Sequence, residues 1–249
     1  MPKEFGSSDD LRSARFTGVD LSGAQFRNVN LAGVKMVDAI LANAELSGLI
    51  DGLTVNGIEV APLIAEELAR RHPERAELFV SEPEGLHRAW SLIEERAAKT
   101  VERARRLPEE RLYQRVDDEW SFVETLRHLI FVTDAWIGRV VLGQANPYHR
   151  LGLPPTFVGD GTQIGIVPDA QPSFHEVLDV RQGRMLQVRD VVERVMPDTL
   201  VRNCTPNPAP GYPPDTIHTV IGCLWTVIEE EWAHDQFANR DLHRLESGA

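Results

Sequence analysis

Residues 120–136 read WSFVETLRHLIFVTDAW, and residues 226–242 read TVIEEEWAHDQFANRDL. In both segments the apolar residues recur at helical rather than strand spacing. The first sets His128 amid Leu126, Leu129, Ile130 and Phe131, so a histidine at least partly buried is expected there. The second puts Glu230 and His234 four residues apart, which on a helix means one face and one turn. Glu231 points about 100° away from that face.

Moving outward, apolar residues return at the same spacing in four stretches, 84–107, 121–142, 173–196 and 216–244, the pattern of a four-helix bundle. Ser121 with Glu124 and Ser173 with Glu176 have the spacing of capping boxes, while Pro108 and Pro197 end the first and third stretches. The connections 143–172 and 197–215 are long and rich in Pro and Gly, more than an up-and-down bundle needs. Long loops at a bundle end often carry function, and Tyr148, His149, Phe157 and Tyr212 are candidates to line a pocket there.

Before the bundle the period changes to five. Leu11, Phe16, Leu21, Phe26, Leu31, Met36, Leu41 and Leu46 stand in one register, each from Phe16 onward preceded two residues earlier by a small or β-branched residue: Ala14, Val19, Ala24, Val29, Val34, Ala39 and Ala44. Neither helix nor strand has this period. One large and one small inward side chain per five residues suit the side of a square coil stabilised by its neighbours. The pattern resembles the pentapeptide-repeat family, which implies a right-handed quadrilateral β-helix of roughly two coils here. LTVNGIEV (53–60) then reads as a hairpin turning at Asn56-Gly57, and APLIAEELARRHPE (61–74) as a helix begun near Pro62 and stopped before Pro73.

The predicted organisation is therefore mainly α: residues 1–60 a pentapeptide-repeat β-helix with a capping hairpin, 61–83 a connecting helix and linker, and 84–249 the bundle. A net charge of −12 over 249 residues argues against a nucleic-acid partner. Neither a membrane span nor a secretory leader is read, so a cytoplasmic protein is expected. Cys204 and Cys223 are too few for a disulfide framework and are read as reduced thiols.

His128, Glu230 and His234 together offer two imidazoles and one carboxylate. That set suits an open zinc site or a non-haem iron site, and spacing alone leaves the choice open; a surface ion pair is the plain alternative. The layout W-S-x-x-E-T-L-x-H-L in the second helix, with E-E-x-W-x-H and A-x-R-D-L in the fourth, resembles the DinB-like superfamily over residues 84–246. That family includes thiol-dependent S-transferases and mycothiol-dependent maleylpyruvate isomerases. The resemblance implies a four-helix DinB-like bundle holding a divalent metal on three histidines, one on the second helix and two at i and i+4 on the last. His128 matches the first and His234 the third, while Glu230 stands where the second usually is. The carboxylate adds negative charge and makes a bound metal a weaker Lewis acid.

The implied cofactor is a divalent metal ion, zinc first, with nickel, manganese or iron as alternatives. The implied partners are a small thiol and a small electrophilic substrate, and the repeat offers a surface for a protein partner. Glu124 could orient His128 or act as an additional ligand, although its capping role is adequate by itself, and Cys223 lies on the stripe of Val227, Glu230 and His234, where a core-filling thiol is the plainer reading. Asp134, His218 and Asp235 are read as solvated. Two other functions compete with thiol transfer or isomerisation: a non-catalytic binding or scaffold protein with a degenerate site, and a two-histidine, one-carboxylate iron enzyme.

Overall fold

The structure is a computed structural model and describes residues 4–6, 9–27, 29–48, 50–214 and 217–247. Residue 216, where the fourth helix is predicted to begin, and parts of the N-terminal stretch 1–10 lie outside the described residues. The chain divides into two compact units, Met1–Asn43 and Ala44–Ala249.

In the first unit the five-residue period becomes a period of turns. Ser13, Gly18, Gly23, Gly33, Asp38 and Asn43 all have positive φ. The Ala14, Ala24 and Val34 amides close turns onto the carbonyls of Leu11, Leu21 and Leu31 at 3.0, 3.0 and 3.1 Å. Just before these turns Asp10, Asp20 and Asn30 accept from the backbone two residues ahead, the short-range bond by which Asx side chains set a turn. No strand ladder is found among the described residues of this unit, so the expected β-helix is met as far as regular turning and no further. The apolar residues of the repeat remain exposed, Phe16 at 59% and Phe26 at 60%.

The second unit is mainly helical. It opens on the expected hairpin, β1 (Thr54–Val55) paired antiparallel with β2 (Ile58–Glu59). Asn56 (φ 51°) and Gly57 (φ 80°) both take positive φ, as a type I′ turn requires. Helix α1 follows at Ala61–Arg71 with Pro62 in its first turn. Four long elements come next: α2 (Pro83–Ala104), α3 (Phe122–Thr133) with its extension, α4 (Phe174–Arg194) and, after the short α5 (Pro197–Leu200), α6 (Val220–Ser247). Both capping boxes form, Ser121 with Glu124 and Ser173 with Glu176. Helix α2 packs on α4 and α6, and α3 packs on α4 and α6, which makes the four-helix arrangement. Its main core gathers Leu86, Trp90, Ile93, Val188, Leu224, Val227 and Ile228, and a second cluster joins Phe122, Ile130, Val177 and Leu242.

The helix expected over 121–142 is not uniform. From Asp134 to Val141 it widens into a π-helical stretch, closed by the Leu142 amide on the Ile137 carbonyl at 2.9 Å. Within this stretch Asp134 and Arg139 both face inward and are buried. Asp134 is thus a correction to the solvated reading. It accepts from the His149 amide at 2.8 Å and pairs with Arg184 of α4. Burial pushes its carboxyl up to about 6 despite the arginine. Gly138 lies in the same stretch because a Cβ there would stand 2.6 Å from the Pro147 side chain.

The two long loops are fastened by arginines that pair with no carboxylate among the described residues. Arg127, 5% exposed, donates to the carbonyls of Leu151, Ala170, Pro168 and Val167 at 2.9–3.3 Å. Arg139 donates to those of Asn207, Pro213 and Pro210 at 2.7, 3.4 and 3.5 Å. Charged donors suit this task, since each bond to them is stronger than a neutral one and the buried carbonyls need donors. No helix among the described residues is long and apolar enough to cross a membrane.

Candidate metal centre

Helix α3 carries His128 two turns in from its capping box, and α6 carries Glu230 and His234 one turn apart. Packing of α3 on α6 brings all three together, with one ligand atom from each lying within 4.8 Å of the others. His128 Nε2 stands 3.4 Å and His234 Nε2 3.2 Å from the same oxygen, Glu230 Oε2. The two imidazole side chains are 6% and 16% exposed, whereas that of Glu230 is 37% exposed, so the cluster opens to solvent on the carboxylate side.

The hydrogen-bond chemistry of this cluster favours a cation. His128 Nδ1 lies 3.0 Å from the Leu153 carbonyl, which only accepts, so the ring proton belongs on Nδ1 and a neutral ring turns its Nε2 lone pair toward Glu230. A lone pair facing a carboxylate oxygen is repulsive unless a proton or a metal ion stands between them. Burial holds His234 below its usual range, against the pull of Glu230, and so favours the neutral ring. Burial pushes the Glu230 carboxyl up, and hydrogen bonds and charge from protonated imidazoles would pull it down to about 2; with neutral rings a cation takes the place of those protons. Three convergent donors, one of them oriented by a backbone carbonyl behind it, fit a divalent ion.

Aromatic rings enclose the cluster. Trp120, immediately before the cap of α3, lies 4.6 Å from the His128 ring and 6.1 Å from that of His234. Phe237 meets His234 edge-on at 5.9 Å, and Phe131 lies 6.4 Å from His128.

The other residues singled out in the sequence fall as follows. Glu124 serves the cap: its carboxylate takes the Ser121 amide at 2.9 Å and pairs with Arg115, while the Leu153 carbonyl orients His128. Glu231 faces away, in a buried pair with Arg181 at 2.7 Å. Cys223 is a core thiol in the same cluster as Cys204, and burial pushes both thiols up. Tyr148 is buried against Phe131 with its hydroxyl on the main chain of Tyr212, so it supports the loop rather than lining a pocket. His149 is held at Asp134, and Phe157 is exposed with its edge toward Tyr212. Asp235 is not solvated either but lies between Arg96 and Thr100. His218 meets the edge of Trp136 at 5.1 Å.

Sequence reasoning passed over Trp120 and the arginines at 127, 139, 181 and 184. A charged residue within an apolar helical run, as Arg127 is in LRHLIF, was the available signal for the first of these arginines.

Residues 92–238 match the family model of the DinB superfamily, and the chain belongs to that superfamily. Residues 10–48 match the pentapeptide-repeat model in eight copies. No curated protein and no solved structure matches the chain.

Proposed function

We propose that this protein is a divalent-metal-dependent transferase or isomerase that uses a low-molecular-weight thiol, with His128, Glu230 and His234 holding the ion. The observation that carries this reading is the convergence of three ligand atoms within 4.8 Å, with His128 oriented from behind by the Leu153 carbonyl. When bound, a divalent ion lowers the pKa of a thiol and keeps it as thiolate, a competent nucleophile near neutral pH.

The chain's own groups supply the rest. The two histidines contribute neutral donors, and Glu230 contributes a charge that lowers the net charge of the centre relative to three imidazoles. Trp120 and Phe237 lie against the imidazoles, and access is from the exposed side of Glu230. In S-transfer the thiolate sulfur forms a bond to the electrophilic carbon while the leaving group departs with its electron pair. Zinc is the first choice of ion because its coordination leaves a position open beside three protein ligands; nickel, manganese and iron accept the same donors.

The test is thiol consumption in the presence of 1-chloro-2,4-dinitrobenzene, with cysteine or glutathione as the thiol. We expect turnover that depends on added zinc and is absent in His234→Ala. No turnover with any thiol in zinc-, nickel-, manganese- or iron-loaded protein would leave the reading without support.

For the repeat unit we propose the quadrilateral β-helix, acting as a docking appendage for a protein partner. Recurring turns support the coil, and apolar side chains that so short a stack leaves about half exposed support the docking role. One coil of four pentapeptides separates Phe16 from Met36, so Phe16→Cys with Met36→Cys should crosslink on mild oxidation if the coils stack about 4.8 Å apart. Failure of that pair to crosslink while the bundle stays folded would argue for a different path of the chain.

A further inference from the structure

The aromatic rings around the imidazoles do not contribute equally. Phe131 meets His128 and Phe237 meets His234, whereas Trp120 lies against both, 4.6 Å from His128 and 6.1 Å from His234. Its plane is 26° from that of His234, a stacked arrangement. The two histidines also differ in what else holds them. His128 has the Leu153 carbonyl at its Nδ1, but His234 has no hydrogen bond at Nδ1 among the described residues and meets Glu230 through Nε2. Rotation about the bond to an imidazole is governed by a broad torsion. Ring contacts are therefore what fixes the rotation of His234, and Trp120 supplies the stacked one.

Trp120 stands one residue before the cap of α3, so the strap 114–120 sets its place rather than the helix. At the start of the strap Arg115 donates to Glu124 at 3.0 Å, the carboxylate that also takes the Ser121 amide. In its middle the Glu119 amide closes a turn on the Val116 carbonyl at 2.9 Å, and Asp117 and Asp118 take φ of 51° and 56°. Left-handed backbone is uncommon outside glycine, and aspartate accepts it better than most residues. The turn is pinned to α6 twice, Glu119 to Arg240 and Asp117 to Arg244. Arg240 also lies over the Phe237 ring at 5.5 Å, so one arginine braces both the strap and the second ring that meets His234.

We propose, resting on the metal-binding reading above, that Trp120 is a positioning residue of the metal centre. Its ring holds the His234 imidazole in the rotation that keeps the three donors convergent, and the strap pinned to α6 holds the ring. Donors fixed in advance lose less freedom when an ion binds, so a ring that fixes them raises affinity without touching the ion.

The test is zinc affinity of the full chain, read by competition with a chromophoric chelator. Trp120→Ala should still bind one zinc but about tenfold more weakly, as for other groups that orient metal ligands from outside. Trp120→Phe keeps a ring at the position and should restore most of the affinity. Asp117→Asn/Glu119→Gln unpins the strap while keeping a residue at 117 that accepts positive φ. It should weaken zinc binding in the wild type and have no further effect in the Trp120→Ala background, because it acts through the ring. A merely structural tryptophan would lower the melting temperature of the metal-free protein and leave zinc affinity alone. Equal affinity in wild type and Trp120→Ala overturns the positioning role while leaving the metal reading intact, and Trp120→Phe as weak as Trp120→Ala overturns ring contact as its cause. An equal effect of Asp117→Asn/Glu119→Gln in both backgrounds is that of lost charge and overturns the part given to the strap. No zinc binding by wild type overturns both the positioning role and the metal reading.

Discussion

The two units treat apolar residues in opposite ways. In Met1–Asn43 a strict five-residue register leaves large side chains such as Phe16 and Leu21 about half exposed, while in the bundle the looser helical register buries Trp90, Leu224 and Ile228 almost completely. Charge follows the same division. Asp10 and Arg12 pair in the open, but Glu231 and Arg181 pair inside the bundle. Strict periodicity is therefore evidence of repeated local geometry, set in the repeat by turns and Asx bonds. Burial needs elements packed from opposite sides, which the bundle has and a short coil has little of.

The largest expected effect lies in the bundle core. Leu224→Ala removes a side chain with no exposed surface, and we expect a loss of about 3 kcal/mol or more in denaturant unfolding. Asp134 offers a test by pH. A carboxyl whose folded-state pKa lies above its unfolded value binds more protons when folded, so stability falls as pH rises between the two values, here from about 4 to about 6. Relative to Asp134→Asn, the wild type should lose up to about 3 kcal/mol between pH 4 and pH 7, with no further relative change above that.

Arg127→Met keeps much of the side-chain volume but removes the donors to four carbonyls. We expect a loss of about 2 kcal/mol, with amide exchange quickening first in residues 150–170. The smallest effect should be that of Phe26→Ala, within about 0.5 kcal/mol, as for other exposed substitutions. A cost for Phe26→Ala comparable to that of Leu224→Ala would erase the contrast and show a closed core in the repeat.

Much of this was legible in the residues. Capping boxes, the Asn56-Gly57 turn and the four apolar stretches are local signals, and local signals fix element type and ends. The convergence of His128, Glu230 and His234 was legible because two of the three share a helix face and the third sits in an apolar run. The π-helical stretch was not, because it depends on Asp134 and Arg139 meeting groups from α4 and a distant loop. Nor was the orientation of His128 by Leu153, since a backbone carbonyl leaves no mark in the choice of side chain. The clamp of Tyr148 on Tyr212 spans 64 positions and follows from tertiary placement alone.

The most direct test of the proposed metal centre is elemental analysis of protein purified without affinity-column metal or chelators, beside His128→Ala, Glu230→Ala and His234→Ala. We expect close to one divalent ion per chain in the wild type, lost in each variant. A metal-free wild type whose melting temperature is unmoved by zinc, nickel, manganese or iron(II) would contradict it.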